Sequence, residues 1–523
     1  MRIHQLAGTE LAELWSLRPD SSLREEDPAN APAGPAGEGG RPGPVVVLES
    51  CWGSTRIERP GPHFAELLRR MTLGPVSPAN VLAPFPPVLC EADAAALAPE
   101  VTALRANLAS VQNCVVRTLA LGGTPLLSVV PIAADARFEP CPPPADRPLR
   151  AGDRRLSRFA LLHSGEHGLH LESPLSQHRV EVHHPAVGWV LGELGGGRDA
   201  SAAATGRRPL EERAVTLVHA YLAAAGMTTP FDGTAYAEDS DPALTGWTPA
   251  DLFLHARSRP GRTDADLGMT YPLAGRAPAQ PPVKTPDGRA PVLLERPCLT
   301  RLRTDDPPFT EVLEERRSTR SFAAQDPSLG QLGELLYRAA RVRAVLPPHA
   351  GDPTRSWRTR RPYPSAGSSY GLEIYVVAVR CSGLPPGAYH YDPLEHRLEP
   401  VHGDPQALAD ILADARSLAG MDEQPPLLVV LTSRLLRVAT QFSSVAYASV
   451  LKEVGALQQT FYLVCAAMGM GACALTAGDV GAVARALGVD WLAEPSVGEI
   501  VFGLPRTVDA SKESNIPPIP GSN

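Results

Sequence analysis

RPYPSAGSSYGLEIYVVAV, residues 361–379, is the stretch on which the fold of the C-terminal half turns. Its first part, Pro364-Ser365-Ala366-Gly367-Ser368, is a loop of small residues whose backbone lets a planar ligand come close. The loop runs into Glu373 to Val379, which reads as a strand. A small-residue loop is weak evidence by itself, so its meaning depends on what surrounds it.

Upstream, FTEVLEERRSTRSF (309–322) ends one helix near Leu313 to Arg317, and apolar spacing from Leu329 to Ala339 predicts another. Between them lie Arg316, Arg317, Ser318 and Arg320. Three guanidiniums and a hydroxyl can clamp a phosphate through charge-assisted, bidentate hydrogen bonds. Taken alone, the cluster reads first as a solvated basic turn. Downstream, PGAYHYDPLEHRLEPV (386–401) predicts a hairpin with Tyr389 and Tyr391 on one face and a turn at Asp392-Pro393. PPLLVVLTSR (425–434) suits a buried central strand. Residues 445–475 predict a long helix, apolar on nearly every face, fit for a large core or a dimer interface. Gly469 and Gly471 fall late in that helix rather than after a strand, which excludes a dinucleotide fingerprint.

A chain of 523 residues supports two to four domains. Its net charge of -8, with Lys284, Lys452 and Lys512 as the only lysines, argues against a nucleic-acid partner, which requires a basic face. The eight cysteines form no C-x-x-C pair and no metal-ligand spacing, so no metal is expected and the thiols read as reduced. Glu10 and Glu13 interrupt any N-terminal apolar core, and no apolar run is long enough to span a membrane. The expectation is a soluble, cytoplasmic protein.

The first half repeats itself. Leu48-Glu49-Ser50, Arg56, Glu58, Pro62 and Leu68 recur as Leu171-Glu172-Ser173, Arg179, Glu181, Pro185 and Leu191, every pair 123 positions apart (48 to 171, 56 to 179). Each copy predicts two strands (Val45 to Ser50 and Ser54 to Arg59; Gly168 to Ser173 and His178 to His183) and then a Pro-started helix. Another strand is expected before each, near Leu14 to Leu17 and Arg158 to His163, and further helices after, at Val101 to Leu121 and Leu210 to Ala225. Three strands beside three helices suggest winged-helix-like modules, either structural or able to take a peptide along a strand edge. Arg56, Arg59, Arg69 and Arg70 have no basic counterpart in the second copy, which disfavours DNA binding. The expected class is α+β: module 1 at 1–145 with a disordered Pro/Gly/Ala-rich insertion at 25–44, module 2 at 153–230, a connecting segment at 231–299, a catalytic domain at 300–508 and a tail at 509–523. A Gly-rich break (195–206) and a Pro-rich stretch (276–291) punctuate it.

In order, RRSTRSF (316–322), RPYPSAGSSYGLEIYVV (361–377), PPGAYHYDP (385–393), LKEVGALQQTFYLVCAAMGMGACAL (451–475) and SVGEIVFGLP (496–505) resemble the nitroreductase fold family, in particular its SagB-type azoline dehydrogenases. WTPADLFLHARSRPGR (247–262) is similar to that branch's connecting segment. The resemblance implies a nitroreductase-like domain with a central, antiparallel-rich sheet between helices, and a homodimer with FMN at the subunit interface. By matching motif, Arg316, Arg317, Ser318 and Arg320 would hold the phosphate and ribityl chain. Pro364, Ser365, Ala366, Gly367 and Ser368 would lie along the isoalloxazine; Leu475, Thr476, Ala477 and Gly478 would close the far side, and Arg506 would add a phosphate contact. It further implies oxidation of thiazoline or oxazoline rings in a ribosomal peptide made by a partner cyclodehydratase.

One motif departs from that pattern. Where the branch carries a Lys-Tyr pair, this chain has Gln441 and Phe442, neither of which transfers a proton at neutral pH. If the segment is helical, Lys452 lies about 16 Å along the axis from Gln441, and Tyr447 is turned roughly 140° from Phe442. Gln441, Phe442, Tyr447 and Lys452 are therefore the local catalytic candidates, with packing and a solvated charge the plainer reading of the last two. The alternatives to a dehydrogenase are a catalytically altered flavoprotein scaffold in a peptide-modifying complex and an NAD(P)H-dependent reductase.

Overall fold

The computed structural model describes residues 10–26, 45–86, 88–89, 98–143, 150, 152–165, 168–196, 209–285, 289–348 and 356–506. Of the insertion expected at 25–44, Glu25 and Glu26 instead end a strand paired with Val46 and Val45, while residues 27–44, most of the Gly-rich break and the tail at 509–523 lie outside the described residues. The chain divides into two units, Met1–Ala265 and Asp266–Asn523.

The first unit runs β1 (Leu11–Leu17), β2 (Ser22–Glu26), β3 (Val45–Ser50), β4 (Gly53–Glu58), α1 (Pro62–Met71), α2 (Pro99–Ala109), β5 (Val115–Leu121), β6 (Thr124–Pro131), β7 (Arg154–Leu156), β8 (Leu161–Gly165), β9 (Gly168–Glu172), β10 (His178–Val182), α3 (Pro185–Gly195), α4 (Glu212–Ala224), β11 (Thr228–Pro230), α5 (Ala237–Ser240) and α6 (Pro249–Arg257). The repeat corresponds to β3-β4-α1 and β9-β10-α3, and both helices begin on proline, whose missing N–H costs nothing in a first turn. The strand preceding β3 is β2 rather than the expected Leu14–Leu17 segment, which is part of β1. The helix expected over Val101 to Leu121 ends at Ala109, and Val115–Leu121 is a fully buried strand. Val115, Val116 and Thr118 favour the strand, and Gly122 and Gly123, both at positive φ, turn it into β6.

β6 pairs with β10 of the second copy, and the strands of the first copy lie in another sheet. One sheet has the order β1-β5-β6-β10-β9-β8, with His178 opposite Pro131 and Val182 opposite Leu127, while β2-β3-β4 form a separate sheet. Inside the larger sheet an ion pair is buried: Arg117 Nε donates to Glu13 Oε1 at 2.6 Å, and the Arg117 guanidinium lies 4.9 Å from the Trp15 ring centroid. Removing one partner strands the other charge away from water, which typically costs about 3–5 kcal/mol. Arg117→Leu should lower urea stability by that order, and Glu13→Gln/Arg117→Met should recover part of the loss, both read by tryptophan fluorescence.

The second unit comprises β12 (Val292–Leu293), α7 (Leu299–Asp305), α8 (Phe309–Glu315), α9 (Leu329–Ala340), β13 (Ala344–Leu346), β14 (Arg358–Arg360), β15 (Leu372–Ala378), β16 (Gly387–Asp392), β17 (Arg397–Val401), α10 (Pro405–Ala419), β18 (Leu427–Ser433), α11 (Leu435–Ala439), α12 (Ala446–Ala467), β19 (Gly471–Ala474), α13 (Val480–Leu487) and β20 (Ser496–Gly503). Seven strands make an antiparallel sheet in the order β12-β17-β16-β15-β18-β20-β19. β15 and β18 are buried throughout, as expected for central strands.

Alternation splits the core in two. Leu372, Ile374 and Val376 face α9 and α12, while Tyr375, Val377, Leu428 and Val430 face α10 and α13. A capping box of Ser328 and Gln331 starts α9, and Asp479 caps α13 by accepting from Ala482 N. The long helix stops at Ala467, short of the expected 475. Gly469, at φ +66, turns the chain so that Gly471–Ala474 becomes edge strand β19.

Candidate functional site

After α8 the chain is extended and runs beside the sheet edge. Thr319 N donates to Ala472 O (2.8 Å), Ala323 N to Leu504 O (2.8 Å) and Arg506 N to Ser321 O (3.1 Å). Extended backbone sends alternate side chains to opposite sides. Ser318 Oγ hydrogen-bonds Tyr462 Oη at 3.0 Å and the Arg316 guanidinium lies 5.4 Å from the same ring, which together with Arg317 and Thr319 lines an open cleft of about 540 Å³. Arg320 is exposed in the same segment. Arg506, bonded through its backbone to Ser321, has its guanidinium 3.3 Å from Glu423 in a solvent-exposed pair. The arginines singled out from the sequence thus gather along one strip of backbone.

Tyr462 ties that strip to the next loop, since its hydroxyl also accepts from Ala474 N at 2.7 Å. Leu475 follows, buried, with its N–H on Glu499 O (2.9 Å), and Thr476, Ala477 and Gly478 are exposed. Gly478 lies against the Glu499 carboxyl: an added Cβ would fall 2.7 Å from Oε1, at the end of that flexible side chain. Burial pushes the Glu499 carboxyl up to about 7.

The small-residue loop sits elsewhere, against the N-terminal part of α12. Ser365 Oγ donates to Glu453 Oε2 (2.8 Å) and accepts from Tyr370 N (2.9 Å). Ala366–Ser368 make one 3-10 turn, with Gly367 and Ser368 both at φ +57. A Cβ on Gly367 would lie 2.4 Å from Met269 Cε and 3.1 Å from Phe442 Cζ, so both apolar side chains rest on this loop.

Gln441 to Ser444 are not helical. α11 ends at Ala439, α12 begins at Ala446, and the intervening residues pair with the segment around Gly268: Ser443 N donates to Gly268 O (2.9 Å) and Tyr271 N to Gln441 O (3.2 Å). This removes the premise of a continuous helix from Gln441 to Lys452. The Gln441 amide donates to Arg437 O at 3.3 Å, Phe442 packs on Gly367, and Tyr447 and Lys452 are exposed on α12.

Glu453 and Tyr462 are nine residues apart on α12, which places them about 13 Å apart along the axis and half a turn opposed. Within one chain, therefore, the 364–368 loop and the 316–320 strip lie on opposite sides of α12, while the strip and the 475–478 loop are linked through Tyr462. Tyr462, Glu453, Glu499 and Met269 escaped the sequence reading. The signal available for Glu453 was a carboxylate on an otherwise apolar helix face.

Residues 313–504 match the nitroreductase family, and residues 154–264 match the family described as cyanobactin oxidase ThcOx. The chain thus carries a segment similar to ThcOx followed by a domain similar to the nitroreductases. A nitroreductase from Methanocaldococcus jannaschii is 26% identical over 182 residues, covering 34% of this chain and 80% of that protein. A crystal structure of a nitroreductase from Ralstonia eutropha is 23% identical, covers 47% of this chain and 99% of its own, and has a TM-score of 0.33. The E. coli microcin synthetase McbBCD complex, solved with truncated pro-MccB17 bound, includes a chain 20% identical that covers 52% of this one and 95% of its own, with a TM-score of 0.30.

The buried carboxyl at Glu499 fixes the sign of a pH effect. Its proton is bound more tightly in the folded state, at about 7, than at the ordinary 4.5. The associated stability is complete below about pH 4.5 and is lost as pH rises through 7. Glu499→Gln should therefore raise the Tm at pH 8, by the equivalent of about 2–3 kcal/mol, and leave it nearly unchanged at pH 4.5, as measured by scanning calorimetry.

Proposed function

We propose that this protein is an FMN-dependent dehydrogenase that oxidises thiazoline or oxazoline rings of a ribosomally made peptide to azoles, working as a homodimer beside the cyclodehydratase that forms the rings. The observation that carries this reading is the pairing, in one chain, of a ThcOx-type segment with a nitroreductase-family domain.

The residues fit the cofactor. Arg316, Ser318, Arg320 and Arg506 share one backbone strip, which suits a phosphate, with Arg317 on its cleft side. Pro364–Ser368 and Leu475–Gly478 are loops of mostly small residues that admit a planar ring. Because the 364–368 loop and the arginine strip lie on opposite sides of α12, a complete site takes the loop from one protomer and the strip from the other. When bound, FMN supplies a hydride acceptor that dioxygen regenerates. The chain's own residues do the rest. The arginines anchor, the loops orient, and Met269 and Phe442 present apolar surface on Gly367 that keeps water from the reacting ring. In the first unit, outer strand β8 exposes Leu161 and Leu162, an edge suited to an extended peptide.

Purified protein should be yellow and should convert an azoline-bearing peptide to a product lighter by two hydrogens, detected by mass spectrometry. An unchanged mass with a peptide carrying the correct leader would end this reading. Arg320→Ala and Gly367→Val homodimers should each lose flavin, while the co-expressed heterodimer should regain about half of the sites, since one composite site remains intact. A heterodimer without flavin would reject the shared site.

A further inference from the structure

We infer that Glu453, acting through the hydroxyl of Ser365, holds the proton released when the ring is oxidised. The inference rests on the dehydrogenase reading above and fills the place that Gln441 and Phe442 leave empty.

The geometry is directional. Tyr370 N–H donates to Ser365 Oγ, so the hydroxyl's own hydrogen is left to point at Glu453 Oε2, 2.8 Å away. Ser365 is half-exposed in the small-residue loop, whereas Glu453 is buried with 5% exposure, and its second oxygen, Oε1, has no hydrogen-bond partner among the described residues. A buried acceptor with unused capacity, joined to the surface of the loop by one hydroxyl, has the form of a proton-holding group.

The surrounding charges come from every element packed on it. Arg361 leads into the loop, Arg437 lies on α11, Glu373 on β15 and Tyr363 beside Arg361. Arg361, Arg437, the Ser365 hydroxyl and the backbone N–H of Leu372 favour the carboxylate, but burial outweighs them and pushes the carboxyl up to about 7. Arg437 is engaged with carbonyls, through Nε to Ser369 O (2.6 Å) and Nη2 to Trp357 O (2.8 Å), and forms no ion pair with Glu453. Glu499 has a similar value but lies beneath Gly478 with no hydroxyl between it and its loop.

Of the two hydrogens the ring loses, the hydride is the oxidised flavin's share. The proton bonds to Ser365 Oγ as the Ser365 hydroxyl proton passes to Glu453 Oε2, leaving a neutral carboxyl that later returns its proton to solvent. Ser365 is the residue that touches substrate, and Glu453 acts behind it.

The test uses the full-length holoprotein. In a Glu499→Gln background, which removes the other carboxyl of similar value, infrared difference spectra should show a protonated-carboxyl band that titrates near pH 7, is lost when Glu453→Gln is added and is retained when Ser365→Ala is added. Turnover should rise with pH through the same range and should fall about 10²–10⁴-fold in both variants, with flavin content and KM close to wild type in Glu453→Gln. Glu499→Gln should keep the pH-dependent limb. A Glu453→Gln protein with wild-type turnover and an unchanged pH profile overturns the inference, as does a Glu499→Gln spectrum without the titrating band. A wild type that forms no azole overturns the dehydrogenase reading by itself. The infrared titration in the Glu499→Gln background then decides whether Glu453 holds a proton near pH 7, its presence in support and its absence against.

Discussion

Packing of α12 across the seven-stranded sheet sets the position of every group discussed above. Val450, Val454, Leu457, Phe461 and Cys465 form its buried stripe, and fully buried side chains of the size of Leu457 and Phe461 contribute about 2 kcal/mol each. The helix comes close because β20 carries Gly498, where an added Cβ would lie 2.6 Å from Val454 Cγ1. That stripe leaves two flanks. Glu453 meets the small-residue loop on one, and Tyr462 meets Ser318 and Ala474 on the other. A rotation of α12 would move both loops at once, so the helix fixes how the two are spaced.

Much of this unit was legible in the sequence because its signals are local. The hairpin of β16 and β17 follows from alternation around Asp392-Pro393, and β18 from an unbroken apolar run bounded by prolines and Arg434. The arginine cluster was visible too. Its division into an Arg316/Ser318 side and an Arg317/Thr319 side was not, because that depends on the extended backbone set by pairing with β19. Where the long helix would end was also hidden, since the apolar residues past Ala467 suit helix and strand equally and only Gly469 marks the change.

In the first unit the legible part was the 123-residue repeat, a comparison of the chain with itself. Pairing of β6 with β10 was illegible, being a contact between residues about fifty positions apart that no local pattern encodes. Reading Val115–Leu121 as helix followed from its apolar content, and β-branched crowding together with the Gly122-Gly123 turn decided otherwise. The buried pair of Glu13 and Arg117 was equally invisible, because its partners lie on neighbouring strands 104 positions apart.

The residues at 441 and 442 acquire a physical explanation from the segment around Gly268. Backbone pairing of Gly268 and Tyr271 with Ser443 and Gln441 holds this stretch flat against the loop, and places Met269 and the Phe442 ring on Gly367. A tyrosine at 442 would carry its hydroxyl on the ring carbon that rests on Gly367 beside Met269, with that hydroxyl desolvated. A phenyl ring places no polar group there, and the amide of Gln441 donates to the Arg437 carbonyl. Apolar cover and an acid-base group therefore compete for the same few cubic ångströms above Gly367. In this chain the cover occupies that face, and the titratable carboxyl lies behind the loop, at Glu453, where Ser365 gives it a route forward.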